Sequence, residues 1–129
     1  MPRILLIDDD AALRRALRIA LTKSGHEVAE AADGREGVAA FTRRTADLVV
    51  TDLIMPEFEG VETIRSLRRL DAGVPIIAIS GGGRGSPEGY LRVAAHLGAN
   101  RVIEKPFEID TLRDAIADLL GLRDEVSPA

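Results

Sequence analysis

Five short aliphatic runs punctuate the chain at nearly regular intervals, and amphipathic helical stretches lie between them. The runs cover residues 3–7, 27–31, 47–51, 75–80 and 101–104. All but the second are nearly continuous in Val, Ile and Leu, as expected of strands buried on both faces. The intervening pattern changes period. Leu13, Ala16, Leu17, Ala20 and Leu21 form one stripe of a first helix. Asp33, with Glu36 three residues on, reads as a capping box opening a second, which carries Val38 and Phe41 inward. Val61, Ile64 and Leu67 mark a third. Ser86-Pro87-Glu88 opens a fourth, holding Leu91, Ala94 and Ala95. Ile109, Leu112, Ile116 and Leu119 form the stripe of a fifth, expected to end near Gly121. Strict alternation of strand and helix predicts an α/β chain in which a five-stranded parallel sheet is covered by helices on both faces, a three-layer sandwich. The expected domain spans residues 1–122, followed by a short tail at 123–129.

Parallel strands all point one way, so their carboxyl ends line one edge, where open α/β folds bind ligands. At those ends the sequence places Asp8-Asp9, Asp52, Ser80 and Lys105. Asp8 and Asp9 would face opposite sides of a continuing strand, but where the chain turns both can tilt toward one cleft. With Asp52 they gather three carboxylates. Two unit charges ~4 Å apart repel by about 4 kcal/mol at an effective dielectric of ~20. A proton or a cation is therefore needed, and hard oxygen ligands favour Mg²⁺, which suits phosphoryl chemistry. Lys105 would set a compact positive charge against the cluster, and Ser80 would offer a hydroxyl to a phosphoryl oxygen. Taken singly, Asp52 reads equally as a turn former, Ser80 as a strand-end cap and Lys105 as a surface cation. Their convergence on one edge carries the inference.

Composition narrows the alternatives. The 129 residues suit one domain, and aromatics at 3% leave an aliphatic core. Cysteine is absent, which excludes disulfides and thiolate metal sites and fits a reducing compartment. The apolar run after Met1-Pro2-Arg3 is too short for a signal peptide, and no stretch approaches the roughly 18 apolar residues of a membrane span. A cytoplasmic protein that binds no membrane is expected. The net charge of −4 and the lack of a basic groove with interleaved aromatics argue against direct nucleic-acid binding. The pairs Arg14-Arg15, Arg43-Arg44 and Arg68-Arg69 read most simply as solvated helix faces. Gly81-Gly82-Gly83-Arg84-Gly85 lacks the Lys-Ser/Thr ending of a Walker loop and reads as a loop beside the site.

The motifs Ile-Asp-Asp-Asp at 7–10, Thr-Asp-Leu-Ile-Met-Pro at 51–56 with Gly60, Ile-Ser-Gly at 79–81 and Glu-Lys-Pro-Phe at 104–107 occur in that order. As a set they resemble the receiver domain of two-component response regulators, a CheY-like family with a flavodoxin-like doubly wound (βα)5 fold. The resemblance covers essentially the whole chain and implies a stand-alone phosphoacceptor. Asp52 would take a phosphoryl group from a histidine kinase or a histidine phosphotransfer protein. Mg²⁺ would be bound by Asp9, Asp52 and the backbone carbonyl of Ile54, with Asp8 acting mainly through bound water. Lys105 would pair with the phosphoryl group, Ser80 would move to hydrogen-bond it, and the Lys105-Pro106 bond would be cis, aiming the lysine.

Such a protein is not a classical enzyme; it catalyses only its own phosphorylation and dephosphorylation and switches binding to a downstream protein. Val102 stands where many relatives carry an aromatic switch residue, three places before the lysine. Ile54 and Gly82 stand where many place polar groups that orient attacking water, so slow dephosphorylation is expected. Arg14, Arg15 and Arg18 fit either a kinase-docking face or a solvated one. Tyr90, Leu91, Val93 and Leu97 are expected to pack in the core, and His26 to be structural. Two other readings remain: a Mg²⁺-dependent phosphohydrolase with an aspartyl nucleophile, whose second aspartate would fall at Ile54, and a pseudo-receiver used only for interaction.

Overall fold

The structure is a computed structural model that describes residues 1–53, 59–81, 96 and 98–126. Its elements in chain order are β1 (Arg3–Ile7), α1 (Ala11–Lys23), β2 (Glu27–Ala31), α2 (Gly34–Arg43), β3 (Leu48–Asp52), α3 (Glu59–Leu70), β4 (Ile76–Gly81), β5 (Arg101–Lys105) and α4 (Ile109–Val126). All five strands join one parallel sheet in the order β2-β1-β3-β4-β5. The fold is flavodoxin-like. The strand order explains the weak apolar signal of β2: it is an edge strand, where charged residues such as Glu27 and Glu30 are tolerated and guard against further pairing. β5, with Arg101 and Glu104 exposed, is the other edge.

Strand alternation divides the interior into two cores. Leu5, Ile7, Val49 and Ile76 face Phe41, Ile64 and Leu67 of α2 and α3. Ile4, Leu6, Leu48, Val50, Ile77 and Ile103 face Leu17 and Leu21 of α1 and Leu112 and Ile116 of α4. Each such side chain, fully buried, contributes about 1.5–3 kcal/mol. Val102, in register with Ala78, is half-buried against the first core.

The capping box of α2 forms as the sequence predicts: Glu36 N donates to Asp33 Oδ1 at 2.7 Å. The return bond to Glu36 Oε2 comes from Ala32 N at 3.3 Å, one residue before the cap. Three expectations need correction. Ala16 is exposed although it lies on the apolar stripe, because α1 turns Leu17 and Leu21 toward the sheet. Arg68 is no solvated charge; it lies half-buried and hydrogen-bonded, as described below. α4 does not stop at Gly121 but continues to Val126, so residues 123–126 of the expected tail are helical. Glycine ends a helix where the chain takes a left-handed turn; the described glycines with positive φ are Gly25 and Gly98, and Gly121 is not among them. The predicted fourth helix, with Ser86-Pro87-Glu88, Tyr90, Leu91, Val93, Ala94, Ala95 and Leu97, lies outside the described residues, as do Ile54 and the glycine-rich loop from Gly82 to Gly85.

Candidate functional site

Register brings the predicted residues together. Ile7 pairs with Thr51, so Asp8 follows β1 at the level of Asp52, the last residue of β3. Asp52 is in register with Ile79, and Lys105 with Gly81, across β4. Asp8, Asp52 and Lys105 continue the stripes of Leu6, Val50 and Ile103, and so rise from the sheet face that α1 and α4 cover. Their contacts follow: Lys105 Nζ lies 3.2 Å from Asp52 Oδ2 and 3.5 Å from Asp8 Oδ2. Ser80 is buried at the same edge, one residue beyond Ile79 and opposite Glu104. The Lys105-Pro106 bond is cis, in line with what the family resemblance implies.

Asp8 and Asp52 are only 4% and 3% exposed, whereas Asp9 is exposed. One carboxylate oxygen from each of the three lies within 4.8 Å of the others. Oxygens bound about 2.1 Å from a shared Mg²⁺ stand at most ~4.2 Å apart, so small side-chain rotations would close the set on a cation. The donor set, all hard oxygens, fits that ion. Lys105 is the one ammonium paired with this cluster among the described residues. The chain has only two lysines, 23 and 105, among seventeen basic residues. A compact ammonium, rather than a guanidinium fork, can sit between two carboxylates at this edge. Burial pulls its pKa down, but the charges of Asp52 and Asp8 outweigh burial and hold it above the usual lysine value.

Local structure keeps these groups in place. Asp10 caps α1, its Oδ1 accepting from Leu13 N at 3.1 Å, and its own N donates to Asp8 Oδ1 at 2.9 Å. Gly60, in the first turn of α3, lies against Leu53: a Cβ there would sit 2.5 Å from the Leu53 carbonyl oxygen. Only glycine lets α3 come this close to the residue after Asp52. Beside Lys105 an apolar hollow of about 600 Å³ opens between Leu13, Ala16, Leu17 and Ala20 of α1 and the segment Pro106, Phe107 and Ile109.

Sequence reasoning missed the work of Arg14. Its Nη1 donates to the Asp8 carbonyl at 2.6 Å and its Nε to Glu30 Oε1 at 3.1 Å, while Arg18 Nε meets Glu30 Oε2 at 3.2 Å. Arg14 and Arg18 are therefore paired through Glu30, and Arg15 is exposed. A glutamate in the strand next to β1 was the available signal. His26 stands at the opposite end of β2 from the acids, its Nδ1 buried without a partner among the described residues and its pKa lowered by burial.

Comparison with known proteins agrees with this fold. The profile of the response regulator receiver domain matches residues 4–117. The chemotaxis protein CheY of Bacillus subtilis is 36% identical over 120 residues, covering 92% of this chain and 98% of that protein. The transcriptional regulatory protein AfsQ1 of Streptomyces coelicolor is 44% identical over 80 residues, 62% of this chain but 35% of that longer protein. Among solved structures, a CheY-like receiver domain protein of Methanospirillum hungatei superposes with a TM-score of 0.90 at 28% identity, covering 98% of this chain and 99% of that one. A receiver domain protein of Clostridium thermocellum gives 0.89 at 26% identity, covering 98% and 100%.

Proposed function

The chain belongs to the response regulator receiver domain family, and on that premise we propose that it accepts a phosphoryl group on Asp52 from a phosphohistidine protein and thereby changes its binding to a downstream partner. The observation that carries this reading is the placement of Lys105 Nζ 3.2 Å from a buried Asp52 carboxylate inside a three-acid cluster. An Asp52 oxygen attacks phosphorus, an O–P bond forms, and the P–N bond to the donor imidazole breaks in line. Asp9 and Asp52, with the Ile54 carbonyl, would hold Mg²⁺, Asp8 acting mainly through bound water, and the ion would neutralise charge on the phosphoryl oxygens. Lys105 stays with the transferred group, since its ammonium already meets Asp52 and needs no reorganisation to stabilise negative charge there. The aspartyl phosphate brings about −1.5 to −2 charges where one stood before. The Ser80 hydroxyl, buried at the same edge, is the donor that answers it and transmits the change to the segment after β4.

The apolar hollow beside Lys105 suits the docking of the phosphohistidine protein, because it adjoins the residue that touches Asp52. A partner lying there would bring its imidazole toward the acids and exclude water from the transfer. No helix among the described residues is long and apolar enough to cross a membrane.

Incubation with Mg²⁺ and acetyl phosphate, followed by intact-mass measurement, tests the proposal. One increment of about 80 Da, removed by hydroxylamine and absent in Asp52→Asn, is expected of a nucleophilic carboxylate. No label under any donor would leave only an interaction module, and many turnovers of small phosphate esters would establish a phosphohydrolase instead.

A further inference from the structure

Every polar group of Asp8 is held. Its N–H donates to Ala31 O at 3.1 Å, its Oδ1 accepts from Asp10 N at 2.9 Å, and its Oδ2 faces Lys105 at 3.5 Å. Its carbonyl accepts from Arg14 Nη1 at 2.6 Å, the shortest of these contacts. Arg14 sits one turn into α1, and its side chain is only 17% exposed. Its Nε is engaged by Glu30, a β2 residue in register with Leu6, whose other oxygen is taken by Arg18. The guanidinium thus spans a carbonyl at the end of β1 and a carboxylate on β2 at once. A planar fork with donors on two edges can do this, and a single ammonium cannot.

The carbonyl that Arg14 grips belongs to the Asp8–Asp9 peptide. An uncompensated change in the ψ angle of Asp8 would turn this carbonyl off Arg14 and swing Asp9 away from Asp8 and Asp52. Asp9 is the exposed member of the cluster and, unlike the other two, is not embedded in the core. We infer that Arg14, clamped by Glu30, is a positioning residue: by fixing the Asp8–Asp9 peptide it preorganises the Asp9 carboxylate for the divalent cation. The inference rests on the functional reading above and deepens it. Groups that orient metal ligands from behind are typically worth about 10–100-fold in metal affinity.

The effect has a sign that bare electrostatics does not share. Removing the guanidinium takes a positive charge from beside the cation site, so Coulomb's law alone predicts tighter binding. Loss of positioning predicts weaker binding. The test is a Mg²⁺ titration of the full chain without any phosphodonor, followed by amide NMR shifts and repeated with Mn²⁺ by electron paramagnetic resonance. Wild type, Arg14→Met, Arg14→Lys and Glu30→Gln are compared. The expected result is a loss of about tenfold in Mg²⁺ affinity for Arg14→Met, the low end of the usual range for such partners. Arg14→Lys recovers little of it despite keeping the charge. Asp52 labelling by acetyl phosphate returns toward the wild-type rate once Mg²⁺ saturates each variant, which separates metal positioning from damage to the transfer step.

Unchanged or tighter binding in Arg14→Met, or full affinity in Arg14→Lys, overturns the inference. If Arg14→Met does not fold, Arg14→Lys and Glu30→Gln decide: weakened binding in folded protein supports the brace, and wild-type affinity in both removes it. A wild-type chain that binds neither ion overturns the functional reading and this inference together. Normal binding by wild type and all variants removes the inference alone.

Discussion

The two edges of the sheet handle charge in opposite ways. At the edge where the strands begin, Glu27 accepts from Arg3 Nη1 at 2.9 Å and pairs with Arg44 Nη2 at 3.2 Å, and Asp47 accepts from Arg3 N at 2.7 Å. The hydrogen bond from Arg3 is the chief reason the Glu27 pKa is lowered. There too, Arg68 donates to Gly98 O at 2.6 Å, to the Val74 carbonyl and to Asn100 Oδ1 at 2.9 Å, tying the end of α3 to the starts of β4 and β5. At the edge where the strands finish, three carboxylates face one ammonium. At the first edge each of these charges has its own partner, a carboxylate, a carbonyl or a backbone N–H; at the second, among the described residues, negative charge is left over. On the function proposed above, the first edge serves stability and the second a reaction, because uncompensated negative charge draws in a cation, and the cation with Lys105 then attracts the phosphoryl oxygens.

Two substitutions would break that contrast most directly. Lys105→Met should slow acetyl phosphate labelling of Asp52 by about 10²-fold at saturating Mg²⁺, as expected when a preorganised donor to developing charge is lost. Arg68→Ala should leave labelling unchanged in folded protein but destabilise it by about 2 kcal/mol in urea titrations, since it strips charge-assisted hydrogen bonds from partly buried carbonyls. Equal loss of labelling in both variants would erase the distinction.

A pH series sharpens the same comparison. Folding raises the Lys105 pKa, so the stability gained from the amine is fully present below its unfolded value of about 10.4 and lost as pH rises through the higher folded value. The stability difference between wild type and Lys105→Met should therefore be constant from pH 8 to about 10 and shrink above it. The smallest effect is expected at Asp9. In metal-free buffer Asp9→Asn should raise the melting temperature by about 2 °C by relieving repulsion among like charges. Adding Mg²⁺ should reverse the order, because ligand binding then stabilises wild type more.

Much of this was readable from residues alone, for reasons that differ by element. β1, β3 and β4 announce themselves because interior strands of a parallel sheet must be apolar on both faces, and β1 falls at residues 3–7 as the pattern predicts. The Asp33 cap was legible because capping is decided within four residues. The end of α4 was not, since a glycine signal competes with packing of the Leu119 and Leu120 turn against the rest of the fold. The convergence of Asp8, Asp9, Asp52, Ser80 and Lys105 on one edge was legible because residues at the ends of parallel strands are brought together there. Arg14 and Arg68 were misjudged as surface charge, because their partners are backbone carbonyls and a glutamate on other elements, which no local pattern encodes.

The order of residue types along the chain was enough to determine the alternation of strands and helices, the edge on which reactive groups gather, and the family. The register that sets Asp8 level with Asp52, the 3.2 Å approach of Lys105 and the grip of Arg14 on the Asp8 carbonyl were decided only when the chain packed. Periodicity and capping arise within a few residues of one another, whereas a contact between residues 52 and 105 exists only once the strands between them are aligned.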